Sequence, residues 1–360
     1  MDKYKAPMAI HPGESLKDIL DSSGMTQAEL ANRTGLHVVT INNIIKGNHS
    51  ITSETALKLS VVFGMSDDFW NNLQKNYDET LARLVSEKEL VAELPYASKF
   101  TCYNELVKYG RLEKATNSLE KAKNLLNFLG IASFKLLGKT YGVAFRKSSK
   151  KTISRENLIA WLRCGEILAS KVETKPFDKL RLSNSLDDVR RLNLFPAEKY
   201  SEKLRELLAE CGVAIAYVPY LKNTFVNGAT RWLTPEKVLI ILTPRNKSED
   251  ILWFTLFHEL GHVLKHSKGD GYISYWEKDY LDNSHKEIED MVDLFAEETL
   301  IPKAIWKKFF DSKNYTDLNI VNFARTIGVK PGIVAGRLAK ETEEWSRYAH
   351  LRGKVEVSNE

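Results

Sequence analysis

The chain has 360 residues, of which 43% are hydrophobic and 28% charged, a length and balance that suit two or three globular domains and exclude a disordered or fibrous protein. No run approaches the roughly eighteen apolar residues of a membrane span, and residues 1–14 lack a secretory apolar core, so a cytoplasmic location is expected with no membrane partner. Three widely spaced cysteines, Cys102, Cys164 and Cys211, with no C-x-x-C, exclude a disulfide framework and a zinc ribbon.

The net charge of +5 is uneven. Residues 1–80 carry seven Lys/Arg against ten Asp/Glu, whereas residues 101–155 carry twelve against three. The basic stretch suits nucleic-acid phosphates, an acidic partner or simply a solvated linker face.

Thr26-Gln27-Ala28-Glu29 reads as a capping box that opens a helix ending at Gly35. A second helix over residues 37–46 ends at Gly47, and Ala31, Leu36, Ile41 and Ile44 are the packing residues of a helix-turn-helix pattern. A helix over residues 52–63, ended by Gly64, and another capped by Ser66 and carrying Phe69, Trp70 and Leu73 complete a five-helix domain over residues 1–84. The run from Thr26 to Ala31, together with His11-Pro12-Gly13-Glu14, resembles the phage-repressor-like (XRE) helix-turn-helix class, HigA-type antitoxins in particular, across residues 8–80. That resemblance implies an operator DNA partner, with Val38, Val39 and Asn43 facing base edges and Gln27 near a phosphate. Valines contact thymine methyls but donate no hydrogen bond, so polar readout falls to Asn43, Thr40 and His37. A homodimer placing two such helices about 34 Å apart would offset weak single-site affinity. The acidic balance equally suits a bundle kept for dimerisation or for holding a partner.

Residues 85–198 read as a helical intermediate region. A charged helix over 85–96 leads to a boundary at Leu94-Pro95, residues 105–129 are helical in period, and 147–151 form a polar break. Residues 155–171, with Trp161-Leu162-Arg163, make an amphipathic helix expected to pack on the domain that follows.

From residue 199 to 349 the pattern is α+β. A helix over 200–211 precedes strands at 213–218, 228–233 and 238–243, a small and mostly antiparallel sheet. The last of these is the candidate edge strand or else a plain core strand. Then comes His258-Glu259-Leu260-Gly261-His262, two imidazoles one helical turn apart with a carboxylate beside the first. Cβ atoms four apart on a helix are about 5–6 Å distant, so both rings can present a nitrogen to one ion. The flanking residues are apolar almost all round, which buries the pair, and Gly261 implies a close neighbour at that turn. His266 lies about 12 Å further along the axis than His258 and cannot share that ion.

The connection over residues 267–283, with Tyr272, Tyr275, Trp276 and Tyr280, suits a lid or binding surface. One of these tyrosines or His285 could stabilise an oxyanion. Ser284 to Glu287 reads as a capping box of a helix closed by Pro302. On it Glu289 completes a His-His-Glu ligand set, with Glu287 and Asp290 as competing carboxylates, and Asp293 would accept the second N–H of a ligand histidine. Residues 323–329 and 333–338 form a closing helical hairpin, and 350–360 a tail.

The His258 to His262 motif, Glu289-x-x-x-Asp293-x-Phe295-Ala296 and Leu300-Ile301-Pro302 together resemble the ImmA/IrrE family of metallopeptidases, with Val292 where alanine is usual. Gly212-Val213-Ala214-Ile215, Gly228-Ala229-Thr230-Arg231-Trp232 and Trp253-Phe254-Thr255 extend the likeness over about residues 198–349. A metzincin would need glycine at 265 and histidine at 268, where lysines stand. The resemblance implies a zincin-like fold, zinc on His258, His262 and Glu289, and Glu259 as general base. Manganese or iron suits the same ligands. It also implies a protein substrate, a helix-turn-helix repressor cleaved in trans or the chain's own segment between residues 85 and 150. The alternative is a HigA-type antitoxin and autorepressor that binds a toxin, its C-terminal domain a sensor with little or no proteolysis.

Overall fold

The computed structural model describes residues 6–141, 153–244, 248–266, 272–275 and 283–355, with the backbone alone described for 272–275 and 283–285. The side chains of Tyr272, Tyr275, Ser284 and His285, the residues Trp276 and Tyr280, and the polar break at 147–151 lie outside the described set. The chain divides into two units, Met1–Leu94 and Pro95–Glu360.

The first unit begins with α1 (Pro12–Ser23), α2 (Gln27–Thr34), α3 (Val38–Ile45) and α4 (Ser53–Phe63). Glycines in the left-handed conformation end α1, α2 and α4, at Gly24, Gly35 and Gly64. Thr26 caps α2 by accepting from the Glu29 N–H at 3.1 Å. The return half of the capping box is replaced by an ion pair, for the Glu29 carboxylate turns to Arg33 instead. Leu16, Leu20, Leu30, Ala31, Ile41, Ile44, Ile51, Ala56, Leu59 and Trp70 form the core, with Leu36 packed at its rim. The approach of α1 to α3 is closest at Gly13, where a Cβ would lie 1.9 Å from the Ile44 carbonyl oxygen.

The fifth helix departs from the sequence reading. Instead of two helices, a single α5 runs over Asp67–Ser98 with Pro95 inside it. Nothing between residues 67 and 94 is a glycine or a proline. Pro95 falls in the last turn, where its missing N–H costs one hydrogen bond and leaves the preceding ladder intact.

In the second unit α6 (Tyr103–Lys108) and α7 (Ser118–Leu129) replace the one helix expected over 105–129. The chain breaks at Gly110, in the left-handed region at φ 65°, and restarts where the Asn117 side chain caps α7. The helical period continues across the break, which hides it from a pattern reading. A short α8 (Leu137–Thr140), then α9 (Arg155–Ser170), α10 (Lys179–Arg191) and α11 (Ala197–Glu210) lead to the sheet.

The sheet contains β1 (Val213–Tyr217), β2 (Val226–Thr234), β3 (Lys237–Leu242) and β4 (Tyr272–Tyr275), in the order β1-β3-β2-β4. β1 runs parallel to β3, and the β2–β3 and β2–β4 pairs are antiparallel. The strand expected as an edge, β3, is therefore interior. Its run Val-Leu-Ile-Ile-Leu is buried throughout, as a strand covered on both faces must be. The connection after the metal-motif helix is not wholly loop, because β4 comes from it.

Alternation along β3 sends Val238, Ile240 and Leu242 to one core and Ile241 to the opposite face. On that opposite face lies α9: a Cβ at Gly165 would meet Ile241 Cδ1 at 2.3 Å, and Trp161 Nε1 donates to Thr243 Oγ1 at 2.8 Å. The other face carries α12 (Glu249–Lys265), followed by α13 (Asn283–Leu300), α14 (Lys303–Asp311), α15 (Asp317–Ile327) and α16 (Pro331–Thr342). α16 packs on α12, and α15 packs against α16. Within the segment expected as tail, Arg352 pairs with Asp250 at 2.9 Å and Lys354 bridges to Ser248, tying the chain to the start of α12.

Replacing Gly13 by alanine drives a methyl into the Ile44 carbonyl. The expected cost is about 1–3 kcal/mol of first-unit stability, read as a lower calorimetric unfolding midpoint of the full chain. An unchanged midpoint contradicts the close approach.

Candidate functional site

His258 and His262 stand one turn apart on α12, both buried, with their Nε2 atoms 3.1 Å from each other. α13 reaches them because the helices touch at Gly261, where a Cβ would lie 3.0 Å from Phe295 Cδ1 and 3.1 Å from Val292 Cβ. That contact is the close neighbour which a mid-helix glycine implies, and it includes the valine at the position where alanine is usual.

With α13 seated there, Glu289 and Asp293 grip His258 from both ring nitrogens. Glu289 Oε2 is 3.0 Å from His258 Nε2, and its Oε1 is 3.5 Å from His262 Nε2. Asp293 Oδ1 is 2.8 Å from His258 Nδ1. Glu289 is buried, while Glu287 and Asp290 are exposed. His266 is not among the converging donors; its ring lies 5.3 Å from that of His262.

The donor set fits a divalent ion. One ligand atom from each of His258, His262 and Glu289 lies within 4.8 Å of the others in a buried position, and two imidazoles with one carboxylate are borderline-soft ligands suited to zinc. The electrostatics agree. Burial works to lower the His258 pKa, but the Asp293 and Glu289 hydrogen bonds, with Glu259 nearby, push it up to about 10. Burial and the adjacent His258 push His262 down to about 2. Two nitrogens 3.1 Å apart cannot both hold a proton, whereas one shared cation satisfies both rings and the carboxylate. Asp293, accepting from Nδ1–H, leaves Nε2 as the donor atom of His258.

Glu259 is fully buried and points to the sheet. Thr230 Oγ1, on β2, donates to its Oε2 at 2.7 Å. Two residues earlier on the same face of β2, a Cβ at Gly228 would lie 2.6 Å from Glu259 Oε1 and 2.7 Å from Thr255 Cγ2. A threonine and a glycine thus form a cradle for the carboxylate. Sequence reading reached both residues only as part of a family likeness; the signal for their role was the period of two that puts positions 228 and 230 on one face. Arg231, next after Thr230, faces the other way and pairs with Glu166 of α9.

In the first unit, the residues expected at DNA lie on α3 and beside it. His37 is the N-cap residue, Val38 and Val39 follow with 45% and 69% of their surface exposed, and Thr40 and Asn43 are half-buried. Gln27 is half-buried at the first position of α2.

The fold and the two sites define a helix-turn-helix domain joined to an α+β domain with a buried His-His-Glu set. Comparison with known proteins agrees at both ends: the family described as helix-turn-helix matches residues 16–70, and that described as IrrE N-terminal-like domain matches residues 226–339. The antitoxin HigA-1 of Vibrio cholerae is 35% identical over 85 residues, covering 23% of this chain and 80% of the relative. The virulence-associated protein I of Dichelobacter nodosus is 37% identical over 75 residues, covering 21% and 69%. Among solved structures, a HigA-family addiction-module antidote protein from Coxiella burnetii is 36% identical, covering 24% of this chain and 95% of its own, with a TM-score of 0.22. Pseudomonas aeruginosa HigA with the higBA promoter is 31% identical, covering 24% and 94%, with a TM-score of 0.23. The chain belongs to the HigA-type helix-turn-helix family through its first unit and carries an IrrE N-terminal-like domain in its second. Among the described residues no helix is long and apolar enough to cross a membrane.

Two outcomes are expected here. Asp293→Ala should weaken zinc binding about 10- to 100-fold in a chelator competition titration, and equal affinity would show that the His258 contact is idle. Thr230→Val removes a donor from a buried carboxylate at a cost of about 1–3 kcal/mol; the second unit's unfolding midpoint should drop and be restored by Thr230→Ser.

Proposed function

We propose that this protein is a DNA-binding regulator whose second unit is a zinc-dependent endopeptidase. The observation that carries the reading is the convergence of His258, His262 and Glu289 beside a separately cradled Glu259. A divalent ion on these three ligands would lower the pKa of a bound water toward about 7 and polarise a scissile carbonyl. Glu259 takes the proton from the attacking water and passes it to the departing amine nitrogen. Thr230 keeps that carboxylate in one orientation, so proton transfer needs no rotamer search. Asp293 holds His258 in the tautomer that presents Nε2, and the apolar body of α12 excludes bulk solvent.

The substrate class is protein. A transcriptional repressor, cleaved in trans, or this chain's own segment between residues 85 and 150 is the proposed target. The first unit binds operator DNA through α3 as a homodimer, which sets two such helices one turn of DNA apart. Val38, Val39 and Asn43 face base edges, Thr40 and His37 stand beside that face as further polar groups, and Gln27 sits near a phosphate. With a DNA-binding role the protein acts in the cytoplasm.

A second reading rests on the V. cholerae relative named as an antitoxin: the chain neutralises a toxin and represses its own operator, and the His-His-Glu site senses or stabilises without turnover. Glu259→Gln separates the two. Under the peptidase reading the variant retains its zinc, measured by elemental analysis, while cleavage of co-purified repressors falls by roughly 10²- to 10⁴-fold. Under the antitoxin reading toxin neutralisation is unchanged by the substitution. If the metal-loaded wild type cuts neither repressor nor itself, the peptidase reading is lost.

A further inference from the structure

On α3 the side chains divide by angle. At 100° per residue, Val38, Asn42, Lys46, Val39 and Asn43 fall within an arc of about 140°, whereas the fully buried Ile41 and Ile44 lie opposite, in the core. The outward face is therefore two valines, two asparagines and, at the far end, one lysine. This composition is unusual for a helix that meets nucleic acid, since it offers no arginine and no lysine in its first two turns.

Each residue type on that face has a defined complement in a major groove. A valine can cover the 5-methyl group of thymine and nothing else on a base edge. An asparagine amide matches adenine, accepting from N6 and donating to N7. Guanine, with two acceptors on its major-groove edge, is read best by an arginine or lysine fork. Lys46 is the one cation on the face, and it stands eight residues beyond Val38, about 12 Å along the axis, away from the N-terminal turns that reach base edges.

The side chains are free for this use. Val38 and Val39 are exposed by 45% and 69%, and among the described residues the amides of Asn42 and Asn43 make no hydrogen bond and Lys46 makes no ion pair. Arg33 on α2 is occupied by Glu29 and Lys58 on α4 by Glu54.

We infer that α3 is a reader of A·T base pairs, with Val38 and Val39 seated on thymine 5-methyl groups and Asn42 and Asn43 on adenine edges, and that it does not select guanine. This rests on the DNA-binding reading above and deepens it by naming the ligand class. Lys46 holds a phosphate at the groove wall and adds affinity without sequence choice.

The test uses the full chain and a pool of random 25-base-pair duplexes at fixed salt. Bound duplexes are enriched and sequenced, and the enriched duplex is then remade with deoxyuridine at each thymidine, which removes only the 5-methyl groups. Enrichment of A·T-rich half-sites is expected, with affinity for the deoxyuridine duplex lower by about fourfold per contacted methyl. The Val38→Ser/Val39→Ser variant, altered at exposed positions only, should bind the thymidine and deoxyuridine duplexes alike. Asn43→Ala should relax selection at adenine. Enriched sites with G·C at their invariant positions, or an affinity indifferent to the methyl groups, overturn this inference while leaving DNA binding intact. A chain that retains no duplex at all overturns the DNA-binding reading, and this inference falls with it.

Discussion

The contact between α12 and α13 at Gly261 is the constraint on which the second unit depends. With only a hydrogen in place of a side chain, Gly261 lets Val292 and Phe295 pack so close that an added Cβ would lie 3.1 and 3.0 Å from them. A glycine inside a helix costs about 1 kcal/mol against alanine, a cost repaid here by geometry. At this separation Glu289 and Asp293, a turn apart on α13, meet the two nitrogens of one imidazole, and the same Glu289 reaches the second. A wider crossing would leave two buried histidines facing apolar side chains, which the desolvation of an imidazole forbids. Packing and polar satisfaction therefore select the same arrangement.

The sheet supplies what the helices cannot. Between His258 and His262 the α12 helix turns Glu259 toward β2, and a carboxylate sunk against a strand needs a donor and room. Thr230 is the donor and Gly228 the room. The far side of the same strand is tied by Arg231 and Glu166 to α9. The strand that cradles Glu259 is thus anchored on its other face by a helix drawn from a region that the sequence presents as a connector. The Asp250–Arg352 pair locks the start of α12 in the same way from the end of the described chain.

The first unit is built on different terms. Its net charge is negative, and the exposed face of α3 is apolar and amide-bearing where DNA-contacting helices more often carry cations. Contacts of this kind discriminate bases through methyl burial and bidentate amides, and contribute little of the counterion release that dominates raw affinity. Under the proposed DNA reading, selectivity exceeding affinity is the natural consequence, and a regulator of that type gains from two copies or from a second source of positive charge.

Much of the chain was legible from residue order because the controlling forces are local. The helix cap at Thr26, the helix-ending glycines Gly35 and Gly64, and the four-residue spacing of His258 and His262 are each decided within one or two turns. Glu289 was legible as a candidate, with Glu287 and Asp290 as rivals, since three carboxylates crowd one stretch of helix and burial alone separates them. Other features depend on partners distant in sequence. The interior position of β3 follows from which strands pair on either side of it, a matter of hydrogen bonding across the fold, and the same apolar run would suit an edge or a core strand. The continuity of α5 through Pro95 and the break at Gly110 turn on whether a helix pattern is interrupted by a residue that the surrounding turn can absorb. Sequence by itself determined the two domain types, the histidine pair and its carboxylate, because spacing along a helix is a fixed length. Only the tertiary structure decided that Glu289 faces the pair and that Thr230 and Gly228 hold Glu259, because these depend on how closely separate elements approach, and that distance is set by side-chain volume at the crossing.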